Sequence, residues 1–171
     1  MTSAALSVQP EIPLLRRDLR PDGVLLLTLA RPQARNALSI AMLDALSAAF
    51  AEIAADRSVR AVVLAAEGPA FSSGHDLKEI TAARGAGDRG RAFFEDTLSR
   101  CASMMQQIVA LPQPVIAAVE GIASAAGCQL VATCDLAIAG DKAQFCTPGV
   151  NIGLFCSTPM VALSRNLSRK H

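Results

Sequence analysis

Three features of the 171-residue sequence predict an α/β fold. Short runs of branched aliphatic residues alternate with stretches whose apolar residues recur every three or four positions. Turn signals built from Gly, Pro and Asp separate these runs. Hydrophobic residues make up 51% of the chain and charged residues 18%, the balance of a well-buried globular chain rather than a disordered one. The length suits one domain with a sizeable core. We divide it into a loose, Pro-punctuated arm over 1–13 and a core over 14–171.

The elements follow in order. Leu14–Leu19 and Val24–Leu29 flank Pro21-Asp22-Gly23 and read as a hairpin, the first strand at an edge. Arg31-Pro32 ends the second strand, and Ser39 is placed to cap a helix. In that helix Leu43, Leu46, Phe50 and Ile53 share one face. Arg60 to Ala65 is a second strand, parallel to Val24–Leu29 through the helix, as in a βαβ unit. Glu67-Gly68-Pro69 breaks it. Phe71 to Ile80 follows, with a small-residue loop around Gly74 and Asp76 capping a helix that begins at Leu77. Residues 83–90 are Gly- and Arg-rich and expected to be mobile. Phe94, Leu98, Cys101, Met105 and Ile108 then mark one face of a long helix, which Leu111-Pro112-Gln113-Pro114 ends.

The stretch from Val115 to Asp135 organises the rest. Val115–Val119 has the length and composition of a buried strand, Glu120-Gly121 is a break, and Ala123–Ala132 is bland enough all round to be a buried helix. A helix start presents N–H groups without intrahelical partners, and small residues let another backbone approach them. Such a place can hold an oxyanion or a polarised carbonyl. Taken alone, the plainer reading is favoured: a core helix packed with alanine because space is tight. Asp135–Ala139 and Ala143–Cys146 are further short strands around the turn Gly140-Asp141, and Thr158-Pro159 has the form of a helix start.

Several function classes are excluded. Sixteen basic and fifteen acidic residues leave a net charge of +1, with no Trp and no Tyr, so nucleic acid is not a partner. No apolar run is long enough to span a membrane. Gly85-Ala86-Gly87-Asp88-Arg89-Gly90 matches a dinucleotide fingerprint in letters only, because no strand precedes it and no suitable acid follows. Two histidines and five cysteines without ligand spacing argue against a metal. No hydrolase elbow occurs, and Cys128 and Cys156 read as buried rather than nucleophilic. The odd cysteine count, with no CxxC and no leader pattern, reads as reduced thiols in a cytoplasmic protein.

The ordered set Arg31-Pro32…Asn36-Ala37-Leu38, Phe71-Ser72-Ser73-Gly74-His75-Asp76-Leu77-Lys78, Pro114 to Gly121 with Ala126-Gly127-Cys128, and Cys134 to Ala139 with Ala143-Gln144-Phe145 resembles the enoyl-CoA hydratase/isomerase, or crotonase, superfamily. The resemblance runs from about Val24 to Leu163. Within it, SSGHDLKE, AAGCQL and TPGVNIGLFCSTP look like the enoyl-CoA hydratase domain-containing protein 3 branch. The resemblance implies a crotonase-like spiral of ββα units, assembled as a homotrimer or a hexamer, with a C-terminal helical region that this chain lacks. It implies an acyl-CoA thioester partner and no permanently bound cofactor, coenzyme A entering with the substrate. The backbone N–H groups of His75 and Ala126 would hold the thioester oxygen. Arg35, Ser73, Asp76 and Lys78 fall at positions along the CoA arm, with Asp76 and Asp135 also matching structural positions. Glu120 stands where Asn is more usual.

The departures bear on chemistry. Hydratases of this family use two glutamates, and this chain has Gln129 and Gly149 in their places. An amide orients a water but does not take its proton, and glycine offers nothing. Loss of a general acid–base group costs about 10²–10⁴-fold. The resemblance therefore implies family-type binding with weak or altered hydration. The alternatives are a non-catalytic acyl-CoA-binding module, or isomerisation or thioester hydrolysis with water held by Gln129 or Ser157. Cys156, which lies beyond Gly153 where some relatives carry an acid, is not a good base unless activated.

Overall fold

A computed structural model describes residues 13–168 and 170; the arm expected over 1–13 lies, apart from Pro13, outside the described residues. The first strands are β1 (Leu15–Leu19) and β2 (Val24–Leu29), paired antiparallel around the expected turn. Helix α1 (Ile40–Ala55) then carries the chain to β3 (Ala61–Ala66), which lies parallel to β2. Ser39 caps α1 by accepting from Met42 N–H at 3.2 Å, and Leu43, Leu46, Phe50 and Ile53 are all buried under the sheet.

Helix α2 (Leu77–Ala83) starts at Asp76, whose carboxylate accepts from Lys78 N–H at 2.9 Å. The Gly- and Arg-rich segment after α2 forms successive turns rather than a phosphate loop after a strand. Helix α3 (Arg91–Ala110) buries Thr97, Cys101, Met104, Met105 and Ile108. Of the expected stripe Cys101, Met105 and Ile108 are buried, but Leu98 is 54% exposed, and Thr97 and Met104 join the buried face. Strand β5 (Val115–Val119) joins β3 in parallel, and β7 (Leu136–Ala139) joins β5. The sheet order is β1-β2-β3-β5-β7, parallel except at its β1 edge.

A second, three-stranded sheet holds the strand expected over Ala143–Cys146 together with two that periodicity does not reveal. It consists of β4 (Ala70–Ser72), β6 (Ile122–Ser124) and β8 (Gln144–Cys146), all parallel. Each of its strands comes after one of the main sheet in chain order, so the chain winds strand, strand, helix. This second sheet also corrects the helix expected over 123–132. Residues 122–124 are strand, and helix α4 (Ala126–Thr133) begins after Ala125, which sits at φ 50°. The last helix is α5 (Ser157–Asn166), preceded by a 3-10 turn over Pro148–Ile152. Asn166 ties α5 to α4 by donating to the Ala132 carbonyl at 2.7 Å.

The core between sheet and helices is dominated by apolar side chains, Leu27, Leu29, Leu64, Val115 and Ala117 among them. Apolar side chains at the other end stay in water: Leu136, Ile138, Ile152, Leu154 and Phe155 are each more than half exposed. Among the described residues no helix is long and apolar enough to cross a membrane.

Candidate active site

The site is built where three segments meet: residues 31–40, 72–79 and 124–129. Asn36 organises the first. It is fully buried at φ 49°, a conformation that Asn tolerates better than most residues. Its side chain satisfies three main-chain groups. Oδ1 accepts from Arg31 N–H at 2.9 Å, and Nδ2 donates to the carbonyls of Glu67 and Ala70, each at 2.9 Å. The sequence marked Asn36 as part of the family pattern without giving it this part.

The second segment is tied to the first. Ser72 Oγ donates to the Asn36 carbonyl at 2.9 Å, Ser73 N–H to the Arg35 carbonyl at 3.0 Å, and Leu38 N–H to the Gly74 carbonyl at 2.8 Å. Arg31 pairs with Asp76 at 3.3 Å, and Glu79 accepts from Ile40 N–H at 2.9 Å at the start of α1. Arg35 and Ser73, two of the expected CoA positions, are thus adjacent. Lys78 is exposed nearby on α2, and Asp76 spends its buried carboxylate on the Lys78 N–H and on Arg31.

The third segment packs on the second with no side chain between. A Cβ on Gly127 would stand 2.4 Å from the Ser72 carbonyl oxygen, and one on Gly74 would stand 3.3 Å from Ala126 N and 2.9 Å from the Ser124 carbonyl oxygen. Gly74 has φ +86°, so the loop turns there in a way that L side chains resist. Ala125 N–H donates to the Cys146 carbonyl at 2.9 Å, which anchors the start of α4 to β8. Ala126 is the first residue of α4, so its N–H has no partner within the helix. A methyl group on the residue before His75 would therefore touch the main-chain nitrogen of Ala126, in a segment some fifty positions away in the chain.

The polar side chains here are few. His75 Nδ1 and Gln129 Oε1 are both buried without a partner among the described residues. Burial pushes the His75 pKa below 6.5, against a smaller opposing effect from the Leu38 carbonyl, so the ring is neutral at physiological pH. Gln129 sits in the first turn of α4, its N–H donating to the Ala125 carbonyl at 3.0 Å. Gly149 lies in the 3-10 turn, away from α4 in sequence. Cys128 is buried as expected, but Cys156 is half-buried and reachable from solvent. Asp135 is structural as expected, accepting from Val115 N–H at 2.8 Å. The Glu120 carboxylate lies over Gly140.

A glycine turn packed directly on the start of a helix, within an α/β spiral of parallel strands, is the arrangement these residues build. The family model described as enoyl-CoA hydratase/isomerase matches residues 20–170, and the chain belongs to that family. It is 48% identical over 158 residues to enoyl-CoA hydratase domain-containing protein 3, mitochondrial, of Rattus norvegicus, over 92% of this chain and 51% of the relative. The human protein of the same name is 50% identical over 149 residues, 87% of this chain and 48% of that one. Among solved structures, enoyl-CoA hydratase of Mycobacterium smegmatis matches with TM-score 0.84 at 58% identity, over 93% of this chain and 60% of that one. The human domain-containing protein 3 structure matches with TM-score 0.82 at 46% identity, over 92% and 60%. The chain thus spans about half the length of the curated relatives it matches.

One expectation is overturned. The rat, human and mouse relatives are all named mitochondrial, which points to the mitochondrion and not to the cytoplasm. Free thiols, all five of them here, report a reducing compartment and do not tell the cytosol from the mitochondrial matrix.

Proposed function

We propose that this chain forms the acyl-CoA-binding half of an enoyl-CoA hydratase-like protein. The thioester carbonyl oxygen rests on the backbone N–H groups of His75 and Ala126. The observation that supports this reading is the side-chain-free packing of Gly74 on 124–126 and of Gly127 on Ser72, which brings the two segments within van der Waals distance. As charge grows on the thioester oxygen, preorganised donors of this kind are worth about 2.7–4 kcal/mol each. Arg35, Ser73 and Lys78 border the same loop and take the CoA arm, with Asp76 holding the loop in shape.

Binding and hydration separate in this reading. Gln129 stands at one of the two acid–base positions and Gly149 at the other. Neither takes a proton from water at neutral pH, so hydration of a 2,3-unsaturated thioester is slow. A relative at 38% identity is named 2,3-dehydroadipyl-CoA hydratase, which supports a 2,3-unsaturated acyl group as the class of ligand. Assembly as a trimer or hexamer belongs to the same reading, supported by the exposed apolar row of Leu136, Ile138, Ile152 and Phe155.

Calorimetric titration with butyryl-CoA tests the binding, and loss of crotonyl-CoA absorbance tests the chemistry. We expect saturable binding together with hydration at least 10²-fold below that of a two-glutamate relative assayed alongside. Absence of binding defeats the proposal. Fast hydration that survives Gln129→Ala defeats the roles given to positions 129 and 149.

A further inference from the structure

Gly149 carries no side chain, yet the space beside it is filled. A Cβ there would meet Cys156 Sγ at 2.6 Å and the Leu154 carbonyl oxygen at 2.9 Å. The chain folds back to make this contact: Leu154 N–H donates to the Gly149 carbonyl at 2.9 Å, and Gly153 turns the backbone at φ +75°. The sulfur of Cys156 therefore lies where a side chain at 149 would project. Cys156 is half-buried and directly precedes α5, so a reagent can reach it.

Two more thiols belong to this region. Cys128, the third residue of α4, is close enough to Cys146 and Cys156 for either charge to raise its pKa, although burial raises it more. The Cys146 carbonyl is the group that anchors Ala125 N–H. Cys128 and Cys146 thus flank the start of α4, and Cys156 is near enough to Cys128 to act on it while its sulfur lies against Gly149. Among the described residues they form no group able to hold a metal ion. Cys128 is buried, and Cys156 is the one whose sulfur fills the 149 position.

We propose that Cys156 is a covalent trap for 2,3-unsaturated acyl-CoA thioesters bound in this site, an inference that rests on the binding mode given under Proposed function. The Cys156 thiolate adds to the β-carbon of the acyl group. The S–Cβ bond forms and the Cα=Cβ π bond breaks. Its electron pair moves onto the thioester oxygen, where the His75 and Ala126 N–H groups receive it. The thiol proton goes to water, and a proton from water closes the α-carbon. The product is a thioether still esterified to CoA. Nothing leaves, and neither an oxidant nor a reductant takes part. A cysteine needs only a few per cent of thiolate at neutral pH to act as a nucleophile, and a bound electrophile gains further from proximity. The step does not require a base that activates water, which is the group positions 129 and 149 fail to supply.

The test is intact-mass analysis of the chain after incubation with crotonyl-CoA or, in parallel, butyryl-CoA. We expect one addition of the whole crotonyl-CoA mass, mapped by peptide analysis to Cys156, and none from the saturated thioester. Cys156→Ser should lower the adduct at least tenfold, Cys146→Ser should leave it, and excess butyryl-CoA should slow its formation. Gain of the acyl mass alone, equal labelling of Cys146 and Cys156, or labelling insensitive to butyryl-CoA overturns the proposal. Butyryl-CoA binding by calorimetry without any adduct overturns the trap and leaves the binding mode standing; no butyryl-CoA binding defeats both.

Discussion

Gly127→Ala is the sharpest test of the packing that defines the site. Gly127 lies inside α4 with ordinary helical backbone, so on local grounds alanine should stabilise it by about 0.8–1 kcal/mol. Against this stands the Ser72 carbonyl oxygen, 2.4 Å from the added methyl, with Ser72 Cβ at 2.8 Å. That carbonyl does not yield cheaply. Ser72 is fully buried, ends a strand paired to β6, and is pinned to the Asn36 carbonyl. An ordinary contact of 3.4 Å requires α4 and the 72–75 loop to separate by roughly 1 Å. Overpacking of this kind costs about 1–3 kcal/mol, so we expect a net loss of up to about 2 kcal/mol after the helical gain. With an m-value of about 2 kcal/mol/M, the urea midpoint should fall by up to about 1 M. The same shift parts the Ala126 and His75 N–H groups, so the Kd for butyryl-CoA should rise at least tenfold, about 1.4 kcal/mol. A variant that is more stable than its parent and binds butyryl-CoA equally well would refute the close contact, because that is how an unconfined helical glycine behaves.

Asn36→Ala should cost about 3–5 kcal/mol in urea unfolding, because it strands the Arg31 N–H and the carbonyls of Glu67 and Ala70. Acid should destabilise the chain through His75. Its folded pKa lies below 6.5, so the unfolded state holds more protons between the two values. That contribution is complete above pH 6.5 and is lost as the pH falls toward the folded value, and His75→Gln should flatten this limb of a stability–pH curve. Burial pushes the Cys101 thiol up to about 11 and Cys134 up to about 12, so iodoacetamide at pH 8 should spare both in the native chain and label them in urea. Gly149→Glu, alone or with Gln129→Glu, should lower the thermal midpoint and leave crotonyl-CoA hydration at background, because Cys156 Sγ and the Leu154 carbonyl occupy the space of the new side chain.

Periodicity was sufficient for the main sheet and its helices. The hairpin, the parallel β2–α1–β3 unit and the buried β5 all lie within a residue of where branched runs and turn signals put them. Of the second sheet only β8 is legible, as Ala143–Cys146; β4 and β6 are three residues long, too short for alternation to register. Ala123 reads the same in a strand as in a buried helix, which is why the start of α4 was placed three residues early. On α3 both Met104 and Met105 are buried, so the core stripe is wider than the expected one and takes in Thr97 while leaving Leu98 exposed. The mitochondrial relatives corrected a compartment that thiol chemistry does not resolve.

The candidate site was legible for the opposite reason. The donors proposed for it are main-chain groups, so what the sequence records is not the donor but the absence of anything that would hold the segments apart. Gly74 and Gly127 meet the opposing backbone at distances no Cβ tolerates, and Asn36 serves three main-chain groups from a left-handed position. Such constraints are local and leave residue types behind. The positions proposed for acid–base chemistry leave no comparable trace, because Gln129 and Gly149 carry no carboxylate. Position 149 read as an empty glycine, whereas in three dimensions it is a glycine because Cys156, seven residues on, needs the room. A vacancy in the sequence is thus an occupied volume in the fold, and the chemistry available there belongs to a thiol rather than to a carboxylate.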